Sequence, residues 1–182
     1  MKKIILVSLL FISANYSNAQ AFNNKENYVN FGFGIDPFTS SFGNAYFGYN
    51  HYQIGPVVIG YERGITEKLG IGRIGIGGLI GQSFEGYKNY SKWMNTSVLF
   101  RGAYHFDFNI DKMDVYAGVG AGLSFVGAEK FNNATITGTS SSVRGEQYIF
   151  AGIRYYFNDN IGVYAEVGEG FMLANGGLVL KF

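Results

Sequence analysis

Eight times along this chain, bulky apolar residues take every second position while Gly, polar or charged residues fill the places between. Alternation of period 2 sorts side chains onto the two faces of a β-strand, so each segment presents one greasy face and one small or polar face. The segments are 29–36, 57–62, 73–80, 97–106, 115–125, 149–157, 161–168 and 178–182. The fifth is the cleanest: Val115, Ala117, Val119, Ala121, Leu123 and Phe125 oppose Tyr116, Gly118, Gly120, Gly122 and Ser124. Eight is an even number and the smallest that closes an antiparallel membrane barrel. The expected fold class is all-β, an eight-stranded antiparallel up-and-down transmembrane β-barrel.

The start of the chain supplies the compartment. Lys2 and Lys3 precede an apolar run from Ile4 to Ile12 and a small, polar stretch to Ala21, the layout of a secretory signal peptide. The run falls well short of the roughly 20 residues that a spanning helix needs. Two small-x-small triplets fit the cleavage rule, Ser17-Asn18-Ala19 and Ala19-Gln20-Ala21, so the leader is residues 1–19 or extends to 21. Removing the first 19 of 182 residues leaves 163, residues 20–182, the size of one barrel domain.

Without Lys2 and Lys3 the 14 basic residues fall to 12 against 13 acidic ones, which offers no basic field for nucleic acid. Cysteine is absent, which excludes disulfide staples, thiolate metal sites and a Cys nucleophile. Charged residues make up 15% of the chain, against about 25% in ordinary soluble domains. No cofactor is expected.

Connection lengths agree with a barrel whose turns are short on one side and long on the other. Gly64 to Lys68, Asn109 to Lys112 and Asn158 to Asn160 are short links rich in turn formers, whereas Pro37 to Ile54, Glu85 to Trp93 and Ala128 to Glu146 are long. The last outer link, Met172 to Gly176, is short. Both termini then lie on the periplasmic side.

A soluble lipid carrier of the lipocalin kind shares the strand count but turns its apolar face inward. Here the polar face carries about one charge per strand, Glu62, Arg73, Arg101, Arg154, Glu166 and Lys181, among Gly, Ala, Ser and Tyr. That is too sparse for a solvated exterior. It suits a narrow, filled lumen in which these charges pair, since an unpaired buried charge is very costly. The aliphatic face is expected to meet lipid, with Tyr61, Tyr104, Phe106, Tyr155, Phe157 and Phe182 as an interfacial girdle.

The final residues place Asn175, Gly177, Leu180 and Phe182 in the pattern of the C-terminal assembly signal of outer-membrane barrels. With the segments Gly55 to Glu62, Arg154 to Phe157 and Val163 to Gly168, the exported chain resembles the small outer-membrane β-barrel domain family, of the general form of the OmpA membrane domain and OmpX. The resemblance implies a monomer in the cell outer membrane that contacts outer-membrane lipid and uses the barrel assembly machinery for insertion. It also implies a non-enzymatic role in the envelope or, through the outer loops, in adhesion. No peptidoglycan-binding domain is expected after Phe182.

Other chemistry remains as alternatives. Charge pairs that switch partners would make a small gated pore. His51, with Ser40, Ser41 or Ser91 and an acid at the outer rim, would make a lipid-modifying enzyme. His105 and Asp107, two apart, have the spacing of a base and its orienter, but with no nucleophile nearby His105 reads as a packed lumen histidine. Gly70 to Gly75 matches GxGxxG, yet alternation runs through it where a helix should open. Asp107, Asn109 and Asp111 resemble the start of a calcium loop, but Lys112 stands where Gly is required. The sequons at Asn89, Asn95 and Asn133 carry little weight in an exported bacterial chain.

Overall fold

The computed structural model describes residues 21–35, 51–87, 91–132 and 135–182. The leader proper and Ser40 and Ser41 lie outside them. Eight strands run in chain order: β1 Asn27–Ile35, β2 His51–Gly64, β3 Gly72–Tyr87, β4 Ser91–Phe106, β5 Met113–Asn132, β6 Thr135–Tyr156, β7 Ile161–Gly170 and β8 Ala174–Lys181. Each pairs antiparallel with the next, and β1 also pairs with β8, so the sheet closes on itself. Closure leaves every strand of the wall with two neighbours, the condition for backbone to cross lipid.

Side-chain direction follows the alternation. In β4, Phe100 is 65% exposed on the outside while its neighbour Leu99 is 2% exposed in the lumen. Phe31, Ile59, Ile80, Val119, Ile149, Val167 and Leu178 repeat the outward pattern round the ring. Tyr28, Glu62, Arg101, Tyr116, Arg154 and Glu166 are buried inside. An apolar wall around a charged interior is the inverse of a soluble lipid carrier, and that alternative falls here.

The strands are longer at the long-loop end than alternation alone suggests. Ala128 to Glu146 is not a loop: β5 and β6 continue as a paired ladder through it, with Glu129 opposite Thr139 and Gly127 opposite Ser141. Thr135, Ile136, Thr137, Thr139 and Val143 favour extended backbone there, and the ladder to β5 carries the serines between them. Residues 135–145 are all exposed, so no apolar contrast marks the strand in the sequence.

The last outer link is also shorter than expected. β8 begins at Ala174, and Phe171 and Met172 turn inward over the lumen after Gly170, whose φ of 104° suits a residue without a Cβ. A second local device is a bulge in β2 between Ile54 and Val57, formed by Gly55 and the cis-linked Pro56.

Candidate functional site in the barrel lumen

The inward faces of β2, β4, β5 and β6 bring four ionisable side chains together near the short-turn end. Register does the positioning: Asp114 lies directly opposite Arg154. Arg154 binds Asp114 through Nη1 at 3.3 Å and Glu62 through Nη2. His105 closes the ring, with Nε2 at 2.6 Å from Glu62 Oε1 and Nδ1 at 2.9 Å from Asp114 Oδ1. Both imidazole nitrogens can donate only when the ring carries two protons. In that state two carboxylates face two cations and the cluster is neutral.

A second cluster sits beside it. Arg101 grips Glu166 with two nitrogens, at 2.8 and 3.3 Å, and lies over the Phe150 ring at 3.8 Å. Glu166 also accepts from the hydroxyls of Tyr116 and Tyr148, each at 3.0 Å, and from Asn175 at 3.3 Å. Tyr116 joins the two clusters, because the Arg154 guanidinium lies 4.6 Å above its ring. Charges paired in this way suit a low-dielectric interior, where an unpaired charge would carry a large penalty, although Nε of Arg101 and Nε of Arg154 are buried without a hydrogen-bond partner. Gly152 makes room for Tyr116: a Cβ there would collide with the phenol ring.

Val58, Leu79, Leu99, Phe150, Phe171 and Met172 form an apolar layer of the same interior. Another polar chain links Ser97 to Ser124, and Ser124 donates to Glu146 at 2.6 Å.

Four of the six lumen charges read from the sequence therefore meet as two pairs, Glu62 with Arg154 and Arg101 with Glu166. The other two lie elsewhere. Arg73 contacts Asp107 at 3.4 Å at the short-turn rim, and Lys181 approaches Glu26 at 3.9 Å and the Tyr156 ring at 5.3 Å. Asp114 is the member that sequence reading missed. It stands one residue before Val115, and extending the alternation back by one position would have found it.

His105 and Asp107 are not a pair. His105 is bound to Glu62 and Asp114, while Asp107 has left the strand to hold Lys68 at 3.1 Å. Burial of Asp107 works against its ionised form. The hydrogen bond and charge of Lys68, the Asn109 backbone N–H and the charge of Arg73 outweigh it and hold the carboxyl below the usual carboxylate range.

The Gly70 to Gly75 string enters β3 from a turn, with no helix at its glycines, and Asp107 to Asp111 forms the turn before β5. At the long-loop rim, register puts His51 opposite Tyr87, which is itself opposite Ser91. Of the C-terminal residues, Asn175 points into the lumen at Glu166, Gly177 lies opposite Gly32, and Leu180 and Phe182 face outward.

No protein-family model matches the sequence, and no curated protein matches it either. Solved structures do. Ail, the attachment invasion locus protein of Yersinia pestis, aligns over 88% of this chain and all of its own, at 12% identity and a TM-score of 0.50. The fold is that of the small eight-stranded outer-membrane barrels. The N-terminal β-barrel domain of OprF from Pseudomonas aeruginosa aligns over 87% of this chain and 98% of its own, at 16% identity and a TM-score of 0.47. The likeness to Ail is one of fold.

Proposed function

We propose that the protein is an integral barrel of the outer membrane with a shut lumen and no catalytic role, acting through the surface it presents at its long-loop end. The aliphatic exterior supports the lipid setting, because a belt of exposed Phe, Ile, Leu and Val has no stable place in water. The two ion-pair clusters and the apolar layer favour a lumen that ions do not cross, over a gated pore. The working orientation puts the short turns in the periplasm, with the barrel assembly machinery as its partner during insertion. The folded protein is a monomer in this reading.

The observation that carries the surface role is the free edge of β6. β7 pairs with β6 only over Tyr148 to Tyr156. Above that, residues 135–147 have β5 on one side and, among the described residues, no strand on the other. An unpaired row of N–H and C=O groups is a template for another extended chain. The usual guards are sparse, for the stretch has no Pro and no Lys, and its charges are Arg144 and Glu146. The partner it fits is an extended peptide segment of an extracellular protein.

The Gln147 carbonyl accepts from Phe171 on the β7 side, so alternate residues above it, including Val143 and Ser141, turn their N–H groups outward. Proline at both positions removes edge donors while sparing the ladder to β5. Bacteria displaying the intact barrel are expected to adhere to surfaces coated with host cells or matrix proteins, and the Ser141→Pro/Val143→Pro variant to lose most of that adhesion while folding normally. Equal adhesion by the folded variant, or none by the intact barrel, would reject the surface role.

A further inference from the structure

The lumen at the short-turn end holds a side chain that belongs to no strand of the wall. Ala21 and Phe22, ahead of β1, are each 4% exposed. The Phe22 ring lies flat on the His105 imidazole, with centroids 3.5 Å apart and planes 4° from parallel, and stacks on Tyr28 at 4.7 Å. The chain folds back into the mouth through Lys25, whose φ of 67° is the left-handed conformation a tight reversal needs.

The segment is fastened as well as inserted. Lys25 N donates to Gly64 O at 2.9 Å, Gly64 N to Glu26 O at 3.2 Å, Asn23 N to the Tyr28 hydroxyl at 2.8 Å, and Asn24 Nδ2 to Glu67 at 2.7 Å. The wall is shaped to receive it. A Cβ on Gly64 would strike the Asn23 backbone, and one on Gly75 would strike both Glu62 and the tip of the Phe22 ring.

We infer that Phe22 to Asn24 form a built-in plug, with Phe22 closing the short-turn mouth of the lumen over the Glu62, His105, Asp114 and Arg154 cluster. This rests on the shut-lumen reading and adds which group shuts that end. The plug excludes water from the ion pairs beneath it, which strengthens them, and it ties the start of β1 to the turn between β2 and β3. It also gives the residues just past the leader a structural role in the folded barrel.

Because the chain has no cysteine, a single introduced thiol reports access cleanly. Ala103 is buried in the lumen directly opposite Gly75, where an added Cβ would meet the Phe22 ring tip, so Ala103→Cys lies just under the plug. The test is the rate at which a charged methanethiosulfonate reagent modifies that thiol in the full exported chain folded in lipid vesicles. The plug predicts slow modification with Phe22 present and a rate about tenfold or more higher with Phe22→Ala. Equal protection in both would overturn the plug and leave the shut lumen standing. Rapid modification with Phe22 present would overturn both. Should Phe22→Ala fail to fold, hydrogen exchange at the Asn23 amide of the unaltered chain serves instead: protection through its bond to the Tyr28 hydroxyl supports insertion, and exchange at the rate of an unstructured tail overturns it.

Discussion

Replacing Arg154 with Met is expected to destabilise the folded barrel by about 3–5 kcal/mol, because it removes the cation that binds both Glu62 and Asp114 and leaves His105 as the one side chain bridging the two carboxylates. Met keeps the apolar stem, so the loss comes from the guanidinium, its ion pairs and its place over the Tyr116 ring. Equilibrium unfolding in urea, measured for the full exported chain in lipid vesicles, gives the number. Glu62→Gln is expected to cost less than Arg154→Met, since the amide still accepts from Arg154 and one carboxylate remains for the two cations. A loss under about 1 kcal/mol for Arg154→Met would mean that the cluster is solvated and the lumen wet.

The second large effect lies on the opposite face of the wall. Val119 is central among the outward residues of β5, and Val119→Arg is expected to cost about 2–4 kcal/mol, the usual penalty for a cation at the bilayer midplane on a barrel exterior. Gly138→Arg is its control. Gly138 lies in the β5–β6 hairpin above the barrel, and nothing stands within 4 Å of where its Cβ would be, so the same charge there should change stability by a few tenths of a kcal/mol at most. Equal effects at the two positions would contradict a lipid-facing exterior.

These two substitutions also separate what sequence reading could and could not reach. The wall was legible because lipid outside and a crowded lumen inside impose opposite demands on neighbouring residues, so Phe100 and Leu99, or Val119 and Gly120, differ for a physical reason that repeats every two positions. The hairpin at residues 135–147 escaped because both its faces meet solvent, which removes the contrast that makes a strand visible. The pairing of charges was legible as a requirement but not as a map. That Arg154 joins Asp114 follows from register across β5 and β6, and that Arg73 meets Asp107 follows from its place at the short-turn end, where Asp107 comes just after β4. Phe22 was hidden for a different reason: it stands beside the leader, and its partners His105 and Tyr28 are brought to it by closure of the ring.

The central claim is a barrel folded in the outer membrane, and heat-modifiability tests it most directly. The detergent-extracted outer-membrane fraction is run on a gel with and without boiling, with the soluble periplasmic fraction alongside. The account predicts that the protein is in the membrane fraction and that its unboiled and boiled bands differ in mobility, because a closed eight-stranded barrel resists detergent unfolding until heated. A protein recovered from the soluble periplasmic fraction, with a single band unmoved by boiling, would contradict it.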